Sequence, residues 1–166
     1  PSSLDAALRE MATYDWITFS SSNGVRGVQA RLNALGLDAR AFAGTKVAAV
    51  GPATAETALL LLGLRADLVP EEYVSEAVVA EFSVRGVEGE RILVVRSDIG
   101  RDVLAKGLRD LGAGVDEVVG YETRAPEDSG DQVKAAYEEG IDVTTFTSSS
   151  TVDNLVGLLD GNVEAV

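Results

Sequence analysis

The chain has 166 residues and 46% hydrophobic content, enough for a globular core in one domain or one and a half, and it contains neither cysteine nor histidine. Those absences exclude disulfides, thiol catalysis and Cys-ligated metals, remove any Ser-His-Asp triad, and argue against a zinc or iron centre. A formal net charge of −13, from 27 acidic against 14 basic residues, argues against nucleic acid as a partner, since that affinity comes from Lys and Arg clustered on phosphates; the acid excess reads as a solubility device.

In chain order, Pro1–Glu10 is polar, mixed in charge and without a signal-peptide pattern, so a cytoplasmic protein is expected. Trp16–Ser20 reads as a strand that runs into a hydroxyl cluster. Val25, Val28, Leu32 and Leu35 follow with helical spacing, and Gly36 is the stop signal. Lys46–Val50 is a second strand, and Thr54–Leu62 a helix closed by Gly63. Its apolar run Ala58–Leu62 is far too short to span a bilayer. Asp67–Val69 is a short strand candidate, and Ser75 an N-cap for a helix that buries Val78, Val79 and Phe82. Arg91–Arg96 is a strand, followed by a helix with Leu104, Leu108 and Leu111 on one face and Gly112 at its end. Val115–Val119 is the next strand. Gly120–Asp131 is polar, holds Pro126 and two glycines, and has no period, so it reads as a linker. Beyond it come a helix, the strand Asp142–Thr147 and a last helix with Val152, Leu155, Val156 and Leu159 on one side.

Strands alternating with helices imply βαβ units and parallel sheets, an α/β fold. The expected organisation is a complete domain over 1–119, a connector over 120–131 and a partial second domain over 132–166. A lone strand cannot make a stable sheet, so the second lobe requires completion by residues outside this chain or by another copy.

The stretch DWITFSSSNGV (Asp15–Val25) returns as DVTTFTSSSTV (Asp142–Val152), each copy a strand, a hydroxyl cluster and a helix start. Such a repeat points to two related halves. In parallel sheets ligands lie beyond the carboxyl ends of the strands, and four such ends here carry small, polar or Gly-rich residues: Ser20–Asn23, Gly51–Thr54, Ser97–Gly100 and Thr147–Thr151. Ser21 and Ser148 each suit an N-cap or a ligand donor, and a duplication copies a cap as readily as a site. Thr54, in VAAVGPATAE, presents a hydroxyl and an N–H at the positive end of a helix, which suits a carboxylate or phosphate. The segment is neither a P-loop nor a dinucleotide fingerprint. Arg96, Ser97, Gly100 and Arg101 place two guanidinium groups beside a helix N-terminus, where they can grip carboxylates, although Arg101 is equally a solvated first-turn residue. Tyr121 follows the Val115–Val119 strand and can donate a proton in a cleft or pack against the linker. Trp16 reads as core.

Taken together, DWITFSSSNGV, VAAVGPATAETA with its Gly63, VPEEYVSEAVV, ERILVVRSDIGRDVLAKGLRDLGAGVDEVVGYETRAP and IDVTTFTSSSTVDNL resemble, in this order, the uroporphyrinogen-III synthase family. The resemblance implies two flavodoxin-like domains joined by a connector, with the active site between them. It also implies that this sequence starts after the family's opening strand, stops before its last strands and helices, and would be a monomer when complete. The implied activity is that of a lyase of tetrapyrrole biosynthesis, which cyclises hydroxymethylbilane to uroporphyrinogen III with loss of water and inversion of the last ring, without cofactor or metal. By position, Tyr121 matches the tyrosine proposed to assist departure of the hydroxyl, and Thr54 the threonine of the VG-x-x-T turn that contacts substrate. Ser21 and Ser148 match the serines of the two F-[ST]-S turns. Arg96, Ser97 and Arg101 fall in a more variable segment as further substrate contacts, and Asn23 suits either a contact or a turn. Two other readings compete: a non-catalytic flavodoxin-like binding module, and a nucleotide-binding Rossmann protein, which the absent glycine fingerprint disfavours.

Overall fold

The computed structural model describes residues 2–124, 129–146 and 148–159. The chain divides into two compact units, Pro1–Glu122 and Thr123–Val166.

The first unit is built on four parallel strands, β1 (Trp16–Phe19), β2 (Lys46–Ala49), β3 (Arg91–Ser97) and β4 (Gly114–Tyr121), in the order β2-β1-β3-β4. Five helices cover it: α1 (Ser3–Arg9), α2 (Ser22–Leu35), α3 (Pro52–Leu62), α4 (Ser75–Arg85) and α5 (Val103–Asp110). Every residue of β1 is buried, because β1 is central and both faces of the sheet are covered. Successive side chains alternate faces: Ile17, Phe19, Leu93 and Val95 pack with Leu8, Val25, Val28, Leu32 and Ala58 of α1, α2 and α3. Trp16, Ile92 and Val94 pack on the other side with Val78, Phe82, Leu104 and Leu108 of α4 and α5. Trp16 is core as expected, edge-to-face on Phe82 with centroids 4.9 Å apart, and its Nε1 donates to Glu90 Oε2 at 2.8 Å.

Local stop signals act where the sequence places them. Gly36 and Gly63 both adopt left-handed φ, +67° and +70°, and terminate α2 and α3. Other expectations need correction. Asp67–Val69 is no strand but a single bridge, Leu68 to Ala48; the Asp67 carboxylate takes the Val47 N–H at 2.8 Å, and Pro70, with no N–H, prevents extension of the ladder. Ser75 is the first residue of α4 rather than its cap, which is Val74 with no side-chain hydrogen bond. The opening segment, read as polar, holds a helix capped by Ser2, with Leu4 and Leu8 buried at i, i+4. Gly120 and Tyr121, read as the start of the linker, complete β4.

The second unit carries α6 (Ser129–Glu139) and α7 (Ser149–Leu158). The expected strand Asp142–Thr147 is not one: residues 142–146 have no strand partner, Val143 and Phe146 are exposed, and Thr147 lies outside the described residues. A segment with no strand beside it among the described residues has no ladder to hold it.

At the amino ends of the strands, Tyr14 Oη donates to Asp116 Oδ2 at 2.7 Å, Arg91 Nη2 reaches the same oxygen at 3.0 Å, and the Arg91 guanidinium stacks 4.5 Å from the Tyr14 ring. Burial first, then the Asp116 carboxylate, pushes the Tyr14 phenol from its ordinary 10.0 up to about 12. The hydrogen bond from Tyr14 and then the guanidinium hold Asp116 below its ordinary 3.8. Because the raised phenol binds its proton more tightly when folded, its contribution to stability is complete below pH 10 and is lost as pH rises through about 12. The depressed Asp116 contributes above its unfolded value and loses that contribution as pH falls through its folded one. Tyrosinate absorbance at 295 nm should show one late step near pH 12 that Tyr14→Phe removes; persistence of that step in the variant would dissociate it from Tyr14.

Candidate active site

β1 connects outward to β2 on one side, while β3 lies on its other side. The loops leaving the carboxyl ends of β1 and β3 therefore diverge and open a crevice, the usual ligand position in such sheets. Ser21 occupies the β1–α2 turn. With an extended backbone it caps α2: its Oγ accepts from Gly24 N at 3.4 Å and donates to Tyr121 Oη at 3.0 Å, joining residues 100 positions apart. Capping and site-building are thus the same geometry. The phenol oxygen accepts from Ser21, and its own O–H has no acceptor among the described residues, so it can donate to a ligand.

A sheet irregularity aims Tyr121. Arg96 pairs with Val119 but Ser97 pairs with Tyr121, so Gly120 is an extra residue on β4. Val118 packs with the α2 side of the core, and Gly120 faces Gly24 on the same side. An uninterrupted strand would send Tyr121 to the opposite face; the bulge turns it back to Ser21. The helix approaches closely because glycines meet: a Cβ at Gly27 would lie 1.9 Å from Gly120 O, and one at Gly120 would lie 2.5 Å from Val95 Cγ1.

Neighbouring hydroxyls tie α2 to α3. Ser22 Oγ lies 2.9 Å from Thr57 Oγ1, and both reach Ala53 O, at 3.2 and 2.7 Å. Thr54, the third residue of α3, is only 7% exposed and borders a cleft of about 280 Å³ with Ser20, Gly51, Ala53 and Tyr73. Beside it, a cavity of about 100 Å³ is bordered by Ser20, Ser75, Arg96, Gly100, Arg101 and Glu117. Ser20 borders both.

The two arginines differ. Arg96 Nε donates to Glu117 Oε2 at 2.9 Å and Nη1 reaches the carbonyls of Ser97 and Gly100 at 3.1 and 3.3 Å, so this guanidinium organises the β3–α5 loop. Glu117 also takes Arg109 Nη1 at 2.8 Å. Arg101 is 75% exposed and 3.6 Å from Glu76. Ser97 is buried at the strand end, and Asn23 is exposed in the first turn of α2. Ser148 caps α7 in the second unit; Thr151 Oγ1 accepts its N–H at 3.3 Å, and its Oγ lies 3.0 Å from Ser150 Oγ. The structure thus brings Ser21 to Tyr121 and gathers Arg96, Ser97 and Arg101 at the end of β3, with Thr54 across Ser20 from them.

Tyr73 and the Ser22–Thr57 contact were not anticipated. Tyr73 stands in a polar loop with no period, and hydroxyls on two different helices signal their meeting only in three dimensions. Among the described residues no group of three or more acidic side chains is placed to hold a metal ion, and no helix is long and apolar enough to cross a membrane. Apart from Arg96, held to Glu117, and the exposed Arg101, the assembled groups are a phenol, hydroxyls and helix-start amides, donors that serve carboxylates without adding positive charge.

A family model described as uroporphyrinogen-III synthase HemD matches residues 1–165. The uroporphyrinogen-III synthase of Synechococcus elongatus is 35% identical over 164 residues, covering 96% of this chain and 60% of its own length. The porphyrin biosynthesis protein HemD of Ruminiclostridium josui is 33% identical over 151 residues, 90% of this chain and 30% of that protein. A crystal structure of a mutant uroporphyrinogen III synthase from the extremely thermophilic bacterium Thermus thermophilus superposes with a TM-score of 0.65 over 98% of this chain and 64% of its own, at 21% identity, a likeness of fold. The chain therefore spans about 60% of the length of the Synechococcus relative.

Proposed function

Since the chain belongs to the uroporphyrinogen-III synthase family, we propose that it takes part in cyclising hydroxymethylbilane to uroporphyrinogen III, with loss of water and inversion of the last ring. The observation that carries this reading is the 3.0 Å contact between Ser21 and Tyr121 at the carboxyl edge of the sheet. The electron-rich pyrrole drives out the hydroxyl, so the protein has to fold the substrate, supply a weak acid and stabilise developing charge. Tyr121, its phenol oriented by Ser21, donates the proton that lets the hydroxyl depart as water. Thr54 and the amides at the start of α3 hold substrate carboxylates, as do Asn23 and the β3–α5 loop with Ser97 and Arg101. Arg96 acts through that loop, held to Glu117. Ser148, the cap of α7, is a further candidate hydroxyl donor for a carboxylate.

These donors, neutral except for Arg101, suit a substrate rich in carboxylates to a chain of net charge −13. The same charge leaves nucleic acid out of the proposed partners, and the proposed setting is the cytoplasm, with the complete protein a monomer. The test is incubation of the full-length protein with hydroxymethylbilane followed by separation of the isomers. The expected outcome is isomer III formed faster than spontaneous ring closure; isomer I alone would sink the proposal.

A further inference from the structure

The 280 Å³ cleft between the carboxyl ends of β1 and β2 has a composition unlike that of the surface around it. None of its lining residues, Ser20, Val50, Gly51, Pro52, Ala53, Thr54 and Tyr73, is acidic, in a chain with 27 acids. The nearby Glu71 and Glu72 line a separate groove along α4. Two donors are open to the cleft. α3 has no side-chain cap, and the Ala53 N–H in its first turn has no partner among the described residues. The Thr54 hydroxyl belongs to a side chain more than nine-tenths buried, borders the cleft and makes no hydrogen bond among the described residues.

One side of the cleft is aromatic. Tyr73 is 63% exposed although it lies against the backbone of α3's first turn: its Cβ, Cγ and Cδ1 are 3.4, 3.6 and 3.9 Å from where a Gly51 Cβ would stand. The turn from Glu72 to Val74, closed by Val74 N donating to Glu72 O at 2.9 Å, holds the residue there. An aromatic ring so exposed, beside unpaired donors in a lining without acids, matches a flat apolar ring that carries an anionic arm. The cleft is smaller than the roughly 300–1,000 Å³ of sites that enclose drug-sized ligands, which fits one substituted ring rather than a whole macrocycle.

We infer that Tyr73 is a binding residue: its ring forms the wall against which one pyrrole of the tetrapyrrole packs, while a carboxylate arm of that pyrrole is held by the Ala53 N–H and the Thr54 hydroxyl. The inference rests on the function proposed above and adds to it a ring subsite and the residue that shapes it. Tyr73 recognises the ring face and leaves the proton transfer to Tyr121.

Titration of the chain with uroporphyrin III, the coloured oxidised form of the product, reads both binding and packing through the Soret band. Tyr73→Ala should weaken binding about three- to tenfold and diminish the Soret shift, the size expected for losing one aromatic pair. Tyr73→Phe, which keeps the ring, should bind within about twofold of the parent. Far-UV circular dichroism should be unchanged in both, because the side chain is mostly exposed. If the parent chain binds and Tyr73→Ala binds equally well, the ring subsite is wrong and the proposed function stands. If Tyr73→Phe is as weak as Tyr73→Ala, the hydroxyl carries the contact and the packing role is overturned. If the parent itself shows no preference for the tetrapyrrole over an equally charged non-pyrrolic polycarboxylate, the proposed function and the subsite fall together.

Discussion

On the function proposed above, replacing Tyr121 by phenylalanine is expected to slow formation of uroporphyrinogen III about a hundredfold, the lower range for loss of a positioned general acid. The fold should survive. Tyr121 is partly exposed at the end of β4, so the change buries no orphaned polar group, and Ser21 keeps its capping bond from Gly24 N. Affinity for the product should change only a few-fold, because the phenol is asked to act on the departing hydroxyl rather than to grip a carboxylate. The measurement is a comparison of initial rates with product affinity for parent and variant. An unchanged rate would remove the acid role, and a loss confined to affinity would reassign Tyr121 as a substrate contact.

The second large effect is on stability. Gly27→Ala should destabilise the first unit by about 3 kcal/mol, the upper range for forcing atoms into a packed contact, and lower the midpoint of thermal unfolding by on the order of 10 °C. Alanine at an interior helix position ordinarily stabilises relative to glycine by about 0.5–1 kcal/mol, so the expected sign is opposite to propensity. The reason is the 1.9 Å distance from a Gly27 Cβ to Gly120 O, a backbone atom with no rotamer to yield. To relieve it α2 must lift from β4, and Ser21, at the start of α2, moves with the helix. Catalysis should therefore fall beyond what the unfolded fraction explains. A variant as stable as the parent in thermal unfolding would refute the close contact.

Much of the architecture is legible from local chemistry. β1, β2, β3 and β4 lie where apolar runs predict them, and Gly36 and Gly63 stop helices, because strand-forming runs, helical spacing and left-handed glycines act over a few residues. The donor clusters at the strand ends follow from the same βα pattern. The repeat shows where local reading stops. DWITF and DVTTF are alike, yet the first is the central strand of a sheet and the second, over its described residues, is no strand at all. The difference lies in the neighbours: β1 has β2 and β3 to bond with, and Asp142–Phe146 has no strand beside it among the described residues.

The site is legible only in part. Ser21 and Tyr121 are each visible as candidates, but their 3.0 Å contact depends on the register of β4 and on the bulge at Gly120, which no periodic pattern encodes. Arg96 has the residue type of a carboxylate grip, and only the placement of Glu117 on the adjacent strand turns it into an organiser of its own loop. Tyr73 lies in a loop without a period and becomes conspicuous when its ring is found on Gly51. By itself the sequence determined the α/β class, the family likeness and the places where donors gather, because these follow from residue type and short-range spacing. The tertiary structure decided which of those donors meet, which strand forms and which charges are spent on one another, because each of those outcomes depends on sheet register and close packing between segments as much as 102 residues apart.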